Sequence, residues 1–362
     1  MAKKTELAGS FSVGEGVYAA LLAGAEFRRF FDWLPPNFRV RDQGIFSRID
    51  ATRTYLAGRS GVAINCLLMN HWDYVFWDHV PTLYARALRR ANISHAESVR
   101  RASIIASRYS SGIPAKEPDF AFEKANGEVA LMESKGRLVN PGDANPPAKG
   151  DLKEALDQLA QWPQLINPMP QKSFAIGTYL RETSDTTEPS LILYVDPPPR
   201  RDTRIEPVDF PSDWIRRGNY GNWLVGMGLE DAGFALREGR EKPVEEVTLP
   251  VLTVGGSRFA FTIEGFGVSS RARMLDFRDF LHWPDFIPRN GRFVVNGIEV
   301  SVLRSLERAL RNGADLSLME VEPLPVIDLP EVFYGSALPD GSLWAALRWE
   351  EFRPFDHETF KL

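Results

Sequence analysis

Residues 116–136 constrain this chain more tightly than any other stretch. They read Lys-Glu-Pro-Asp-Phe-Ala-Phe-Glu-Lys-Ala-Asn-Gly-Glu-Val-Ala-Leu-Met-Glu-Ser-Lys-Gly. Two runs alternate apolar and polar residues, and Ala125, Asn126 and Gly127 form a turn signal between them, which predicts a tight β-hairpin. On the second strand Val129, Leu131, Glu133 and Lys135 share a face, because side chains alternate with a period of two. Whether Asp119 joins that face depends on the loop. A two-residue loop of Asn126 and Gly127 pairs Asp119 with Ser134, on the wrong face. A three-residue loop from Ala125 to Gly127 pairs Lys124 with Glu128, and therefore Asp119 with Glu133. The longer loop ends on a left-handed residue, which Gly127 supplies without steric cost, so the three-residue register is expected. A slip of one residue would turn Asp119 to the opposite face.

Two carboxylates side by side repel unless a cation lies between them. A small set of hard oxygen ligands suits Mg²⁺ (or Mn²⁺), which keeps several waters and takes its remaining ligands from substrate phosphate. A lysine two residues on can hold or activate an attacking water and offset charge at phosphorus. Residues of these types in this pattern point to phosphodiester hydrolysis.

Pro118 and Asp119, followed 14 residues after Asp119 by Glu133, Ser134 and Lys135, resemble the motif of the PD-(D/E)XK nuclease superfamily. The motif itself covers about twenty residues; with its flanking elements the resemblance reaches roughly residues 100–196. It implies a restriction endonuclease-like α/β core (α+β over the whole chain). It also implies Asp119 and Glu133 as metal ligands with the Ser134 carbonyl as a third, and Lys135 as the residue that positions and helps deprotonate water. DNA is the implied substrate, and restriction or defence against foreign DNA the implied setting. A symmetric homodimer would explain double-strand cutting, and a partner protein is the other association considered. Gln158, four residues before Trp162, resembles the Gln-x-x-x-Tyr signature of the superfamily's exonuclease branch, where the glutamine reaches the active site; here tryptophan stands in place of the tyrosine. A solvent-edge glutamine on an amphipathic helix would occupy the same position.

The chain has 362 residues, enough for two or three domains, and a 25% charged, 44% hydrophobic composition that fits an ordinary globular protein. Its one cysteine, Cys66, rules out an internal disulfide and a cysteine zinc site. With no apolar signal core at the start and no membrane-length apolar run, a reducing cytoplasmic setting fits. The net charge of −5 is unevenly spread: residues 1–118 carry 16 Lys and Arg against 10 Asp and Glu. A local basic excess just upstream of the hairpin matters more for phosphate than the total does.

Three regions are expected: a mostly helical stretch over 1–95, the nuclease-like core over 96–199, and a C-terminal α+β domain over 200–362. Residues 16–31 have helical spacing. His71 and His79 flank an aromatic run. They read either as a metal pair or as part of a packing surface with Asp73 and Asp78, and a separation of eight positions is no recognised ligand spacing. A helix is expected from Val80 to Ala91, with Arg86, Arg89 and Arg90 off its apolar face as candidate phosphate contacts. A strand is expected over 103–109. The first helix of the core is assigned to 80–91 or 95–101. A polar loop from Gly136 to Gly150 is placed to close over substrate. The helix 151–162 is expected to be capped by Asp151, with Leu152, Ala155, Leu156, Leu159 and Trp162 as its apolar stripe and Lys149 and Lys153 as further phosphate candidates. Strands follow at 173–181 and 190–196, and Pro197, Pro198 and Pro199 mark a stiff break. Beyond it the pattern gives a helix over 214–236, a hairpin at Gly255 and Gly256, a helix over 300–311 and a strand over 342–350.

Two other readings fit the hairpin residues. One is a nucleic-acid-binding or protein-interaction module that keeps the fold without turnover. The other is a glycosidase-like carboxylate pair, which leaves Lys135 unexplained. The plainest alternative is a surface hairpin carrying an exposed ion pair.

Overall fold

A computed structural model describes residues 31–32, 39–40, 50–93, 97, 118–140, 142–143, 145–160, 162–185, 188–198, 207–241, 245–263, 292–321, 334–348 and 356–362. The expected helix at 16–31, strand at 103–109 and helix at 95–101 lie outside them, apart from residues 31 and 97. The chain divides into two compact units, with the cut between Pro211 and Ser212. No helix among the described residues is long and apolar enough to cross a membrane.

The first unit is built on a five-stranded sheet whose spatial order follows the chain. Helix α1 (Asp50–His71) comes first, then β1 (Tyr74–His79), α2 (Val80–Arg90), β2 (Phe120–Lys124), β3 (Val129–Leu138), α3 (Ala148–Leu159), β4 (Lys172–Leu180) and β5 (Leu191–Val195). Neighbours pair antiparallel except β3 and β4, which are parallel and joined through α3. A parallel pair needs such a crossover.

Two assignments change. The helix that precedes the first strand of the sheet is α1, and the helix expected at 80–91 follows that strand. The sequence hid α1, because Gly58, Ser60 and Gly61 interrupt a helical pattern. Gly61 is there for contact. A Cβ on it would lie 2.6 Å from the Gly136 Cα, and one on Gly136 would lie 2.3 Å from the Ala57 carbonyl oxygen, so the two glycines let α1 press onto β3. Asp73, at φ 67°, ends the helix. The first strand is the aromatic run 74–79, and it pairs with β2. Residues 74–79 and 120–124 therefore share one sheet, and the expected boundary at 95 falls inside a single unit.

Residue parity fixes which helix covers which face. Even-numbered residues of β3 meet α1: Asn65 Nδ2 donates to Ser134 Oγ at 2.8 Å, and Thr178 Oγ1 on β4 donates to Asn65 Oδ1 at 2.6 Å. Odd-numbered residues of β3 meet α3. Phe120, Phe122, Leu131, Ala175 and Ile176 are fully or almost fully buried in the sheet.

The second unit is an antiparallel sheet. It contains α4 (Trp214–Gly226), α5 (Glu230–Glu238), β6 (Glu246–Val254), β7 (Ser257–Ile263), β8 (Arg292–Glu299), α6 (Val300–Asn312), β9 (Tyr334–Ala337), β10 (Ser342–Arg348) and β11 (Asp356–Lys361). The six strands run β9-β10-β8-β7-β6-β11. The expected single helix over 214–236 is two helices, split at Met227–Leu229, where Gly228 takes φ 77°. The hairpin, the helix from 300 and the strand from 342 lie where the sequence puts them.

Candidate active site

The hairpin takes the three-residue loop. Gly127 has φ 85°, its N–H donates to the Lys124 carbonyl at 3.0 Å, and Lys124 N–H donates to the Glu128 carbonyl at 2.9 Å. The ladder runs from Phe120 opposite Met132 to Glu123 opposite Val129. One step beyond it, Asp119 and Glu133 interlock. The Asp119 N–H donates to Glu133 Oε2 at 3.1 Å, and Asp119 Oδ2 accepts the Ser134 N–H at 2.9 Å.

Glu133 is 4% exposed and Asp119 half-buried, so this is not a surface ion pair. Burial, and then the charge of Asp119, push the Glu133 carboxyl up to about 8, although Lys135 pulls the other way. Lys135 Nζ lies 3.0 Å from Glu133 Oε1 and 3.1 Å from Glu154 Oε1. Burial alone would lower the Lys135 ammonium, but these two carboxylates outweigh it and the net shift is upward.

Helix α3 supplies the roof. It starts three residues earlier than expected, with Pro147 rather than Asp151 at its N-cap. The preceding loop therefore shrinks to 139–147, between Leu138 and Ala148. Gln158 is buried against the site. With its amide nitrogen turned to Glu133 it donates to both carboxylate oxygens, Oε2 at 3.0 Å. Trp162 is in a 3₁₀ turn beyond the helix, its ring edge-on to Tyr84 at 4.9 Å.

Asp151 leaves the cap because Arg137 claims it. Arg137 Nε and Nη2 donate to its two oxygens at 2.6 Å each. Tyr179, opposite Arg137 on β4, donates to Asp151 Oδ2 at 3.5 Å, and burial followed by Asp151 pushes its phenol up to about 12. The sequence reading missed Arg137, Asp151 and Glu154 as members of this face. Two signals would have found them: Arg137 continues the period of two from Glu133 and Lys135, and Asp151, Glu154 and Gln158 stand three and four apart on one helix.

The remaining candidates separate. Ser134 contributes its amide to Asp119, and its hydroxyl turns to Asn65. Lys149 and Lys153 are exposed on α3, and Arg89 and Arg90 are exposed at the end of α2. Arg86 is a correction: it is 1% exposed, with Nη2 2.5 Å from Asp78, so it braces α2 against β1 and reaches no phosphate. His71 is exposed at the end of α1, while His79 packs its ring 4.6 Å from Phe120. Among the described residues no three His, Cys, Asp or Glu side chains gather as one metal cluster.

No family model, no curated protein and no solved structure matches the chain.

Proposed function

We propose that this chain is a metal-dependent nuclease that hydrolyses phosphodiester bonds, with DNA as its substrate. The observation that carries the reading is the interlocked pair of Asp119 and Glu133, held at the end of a hairpin with Lys135 on the same face. A buried carboxyl raised to about 8 beside a second carboxylate is the electrostatic mark of a cation site, because two like charges this close cannot both ionise cheaply. The order α1, β1, β2–β3, α3, β4 also follows the α-β-β-β-α-β order of the PD-(D/E)XK superfamily, with α2 and the residues up to 118 inserted after the first strand.

The donor set fits Mg²⁺ or Mn²⁺. Asp119 and Glu133 offer hard oxygens, and Mg²⁺ needs only one or two protein carboxylates besides water and substrate oxygens. Bound there, the ion would supply positive charge to the phosphoryl oxygens. Gln158 fixes the Glu133 carboxylate through its amide. Lys135 is kept in place by Glu133 and Glu154, and its ammonium would hold the attacking water and donate hydrogen bonds to the phosphoryl oxygens as charge builds on them. Restriction or defence against foreign DNA, a cytoplasmic setting and a homodimer are proposed on the resemblance alone.

The test is cleavage of linear, circular and single-stranded DNA and of RNA in Mg²⁺, Mn²⁺ and EDTA, beside Lys135→Ala and Asp119→Ala. Metal-dependent cutting lost in both variants supports the site. Cutting that survives both contradicts it. Binding without cutting in any metal supports the module without turnover instead.

A further inference from the structure

The site face of β3 does not end at Lys135. Arg137 follows on the same face, one period of two further along the strand, roughly 6–7 Å away. Its guanidinium is gripped from behind: Nε and Nη2 lie 2.6 Å from the two oxygens of Asp151, a carboxylate only 7% exposed. The arginine side chain itself is 54% exposed. Asp151 is steadied in turn by Tyr179, which leans back over Gly177, the residue opposite Lys135 on β4. A Cβ on Gly177 would lie 2.7 Å from the Tyr179 hydroxyl. A surface arginine spends rotamer entropy to reach a phosphate. This one is already held by two hydrogen bonds and stays half-exposed, two residues along the strand from Lys135.

We propose that Arg137 is a phosphate-binding residue of this site, holding the backbone phosphate next to the one that is cut. The inference rests on the nuclease reading and deepens it. Asp151 and Tyr179 are positioning residues that act through Arg137. The planar fork of a guanidinium suits such a clamp, since two of its donors can face Asp151 while others face a phosphate. The plainer role for the same geometry is a staple between β3 and α3.

Salt dependence separates the two roles. Binding of a short DNA duplex is measured over a series of salt concentrations with Ca²⁺ in place of Mg²⁺, for wild type, Arg137→Lys and Arg137→Met. Losing one phosphate contact lowers the slope of log K against log salt by about 0.9 in magnitude. Arg137→Met is expected to show that drop, with affinity about tenfold to a hundredfold weaker. Arg137→Lys, which keeps the charge, retains most of the slope. Arg137→Met strands Asp151, so the double variant Arg137→Met, Asp151→Asn carries the same test with no buried charge left behind. Wild-type slope in both Met variants, with only a lower melting temperature, would make Arg137 a staple and overturn the inference while leaving the nuclease reading intact. A wild-type chain that binds no nucleic acid at any salt would overturn both.

Discussion

Both units bury charged side chains beside a partner, Arg86 with Asp78 and Arg181 with Asp185 in the first and Arg217 with Asp213 in the second, and the hairpin carboxylates depart from that pattern. Arg217 Nε lies 2.6 Å from Asp213 Oδ2, and its Nη2 donates to the Ala314 carbonyl at 2.9 Å. Arg216 Nη1 donates to the carbonyls of Leu316 and Met319, both at 3.0 Å. Asp340 accepts from Asn219 at 2.9 Å and from the Ser342 amide at 3.0 Å. These groups tie α4 to the segment after α6 and to the turn between β9 and β10. In the first unit Asp119 and Glu133 are set against each other, and the carboxyl of Glu133 is held far above its ordinary range. A buried charge beside its complement is architecture; the buried carboxylate beside another is where the proposed cation would sit.

The comparison would break first at Asp213. Asp213→Ala leaves Arg217 buried without its carboxylate, and should cost about 3–5 kcal/mol of stability in denaturant unfolding. Divalent-ion binding at Asp119 and Glu133 should be unchanged below the unfolding transition. Loss of ion binding in a folded Asp213→Ala would mean that the two kinds of buried charge are not separable as drawn here.

Lys135→Ala sharpens the other side. It should lower the single-turnover cleavage rate by about 10²–10³-fold, with little change in melting temperature near neutral pH, since Glu133, which loses its ammonium partner, stays neutral by holding a proton. A variant that melts far lower but cuts at the wild-type rate would reassign Lys135 to structure.

The pH dependence of stability follows from Glu133. Its carboxyl titrates at about 8 in the folded chain against an ordinary 4.5. Between those values the folded chain holds a proton that the unfolded chain has lost. Stability in metal-free buffer should therefore fall as pH rises from about 4.5 to 8 and level off above. Glu133→Gln should remove that slope and melt above wild type at pH 9. Mg²⁺ should reverse that order at pH 9, because it binds the ionised Glu133 of the wild type and not the glutamine.

A smaller effect is expected on the opposite face of β3. Gly136→Ala puts a methyl against the Ala57 backbone and should cost about 1–3 kcal/mol as α1 is pushed off the strand. Cleavage should fall only as far as that shift disturbs Glu133 and Lys135.

Much of the site was legible because it is local. The pairing of Asp119 with Glu133 follows from counting residues across a loop that ends on Gly127. Gln158 reaches Glu133 as a helix of the right phase would bring it. What escaped is what depends on distant packing. The glycines of α1 interrupt its helical pattern, although they are the surface on which Gly136 rests. Arg86 read as a surface charge because nothing in its neighbourhood marks Asp78, eight residues away, as its buried partner. Asp151 read as a cap, since Arg137, which takes it from strand β3, lies 14 residues upstream. The strand 74–79 read as an aromatic packing surface, which it also is, because a strand buried on both faces has no alternation to reveal it.

The most direct test is calorimetric titration of the purified chain with Mn²⁺ at pH 8, beside Asp119→Asn and Glu133→Gln. The account predicts saturable binding in the wild type that is lost in both variants while each stays folded. Binding of equal strength in all three proteins would contradict it, and would return the hairpin carboxylates to structure.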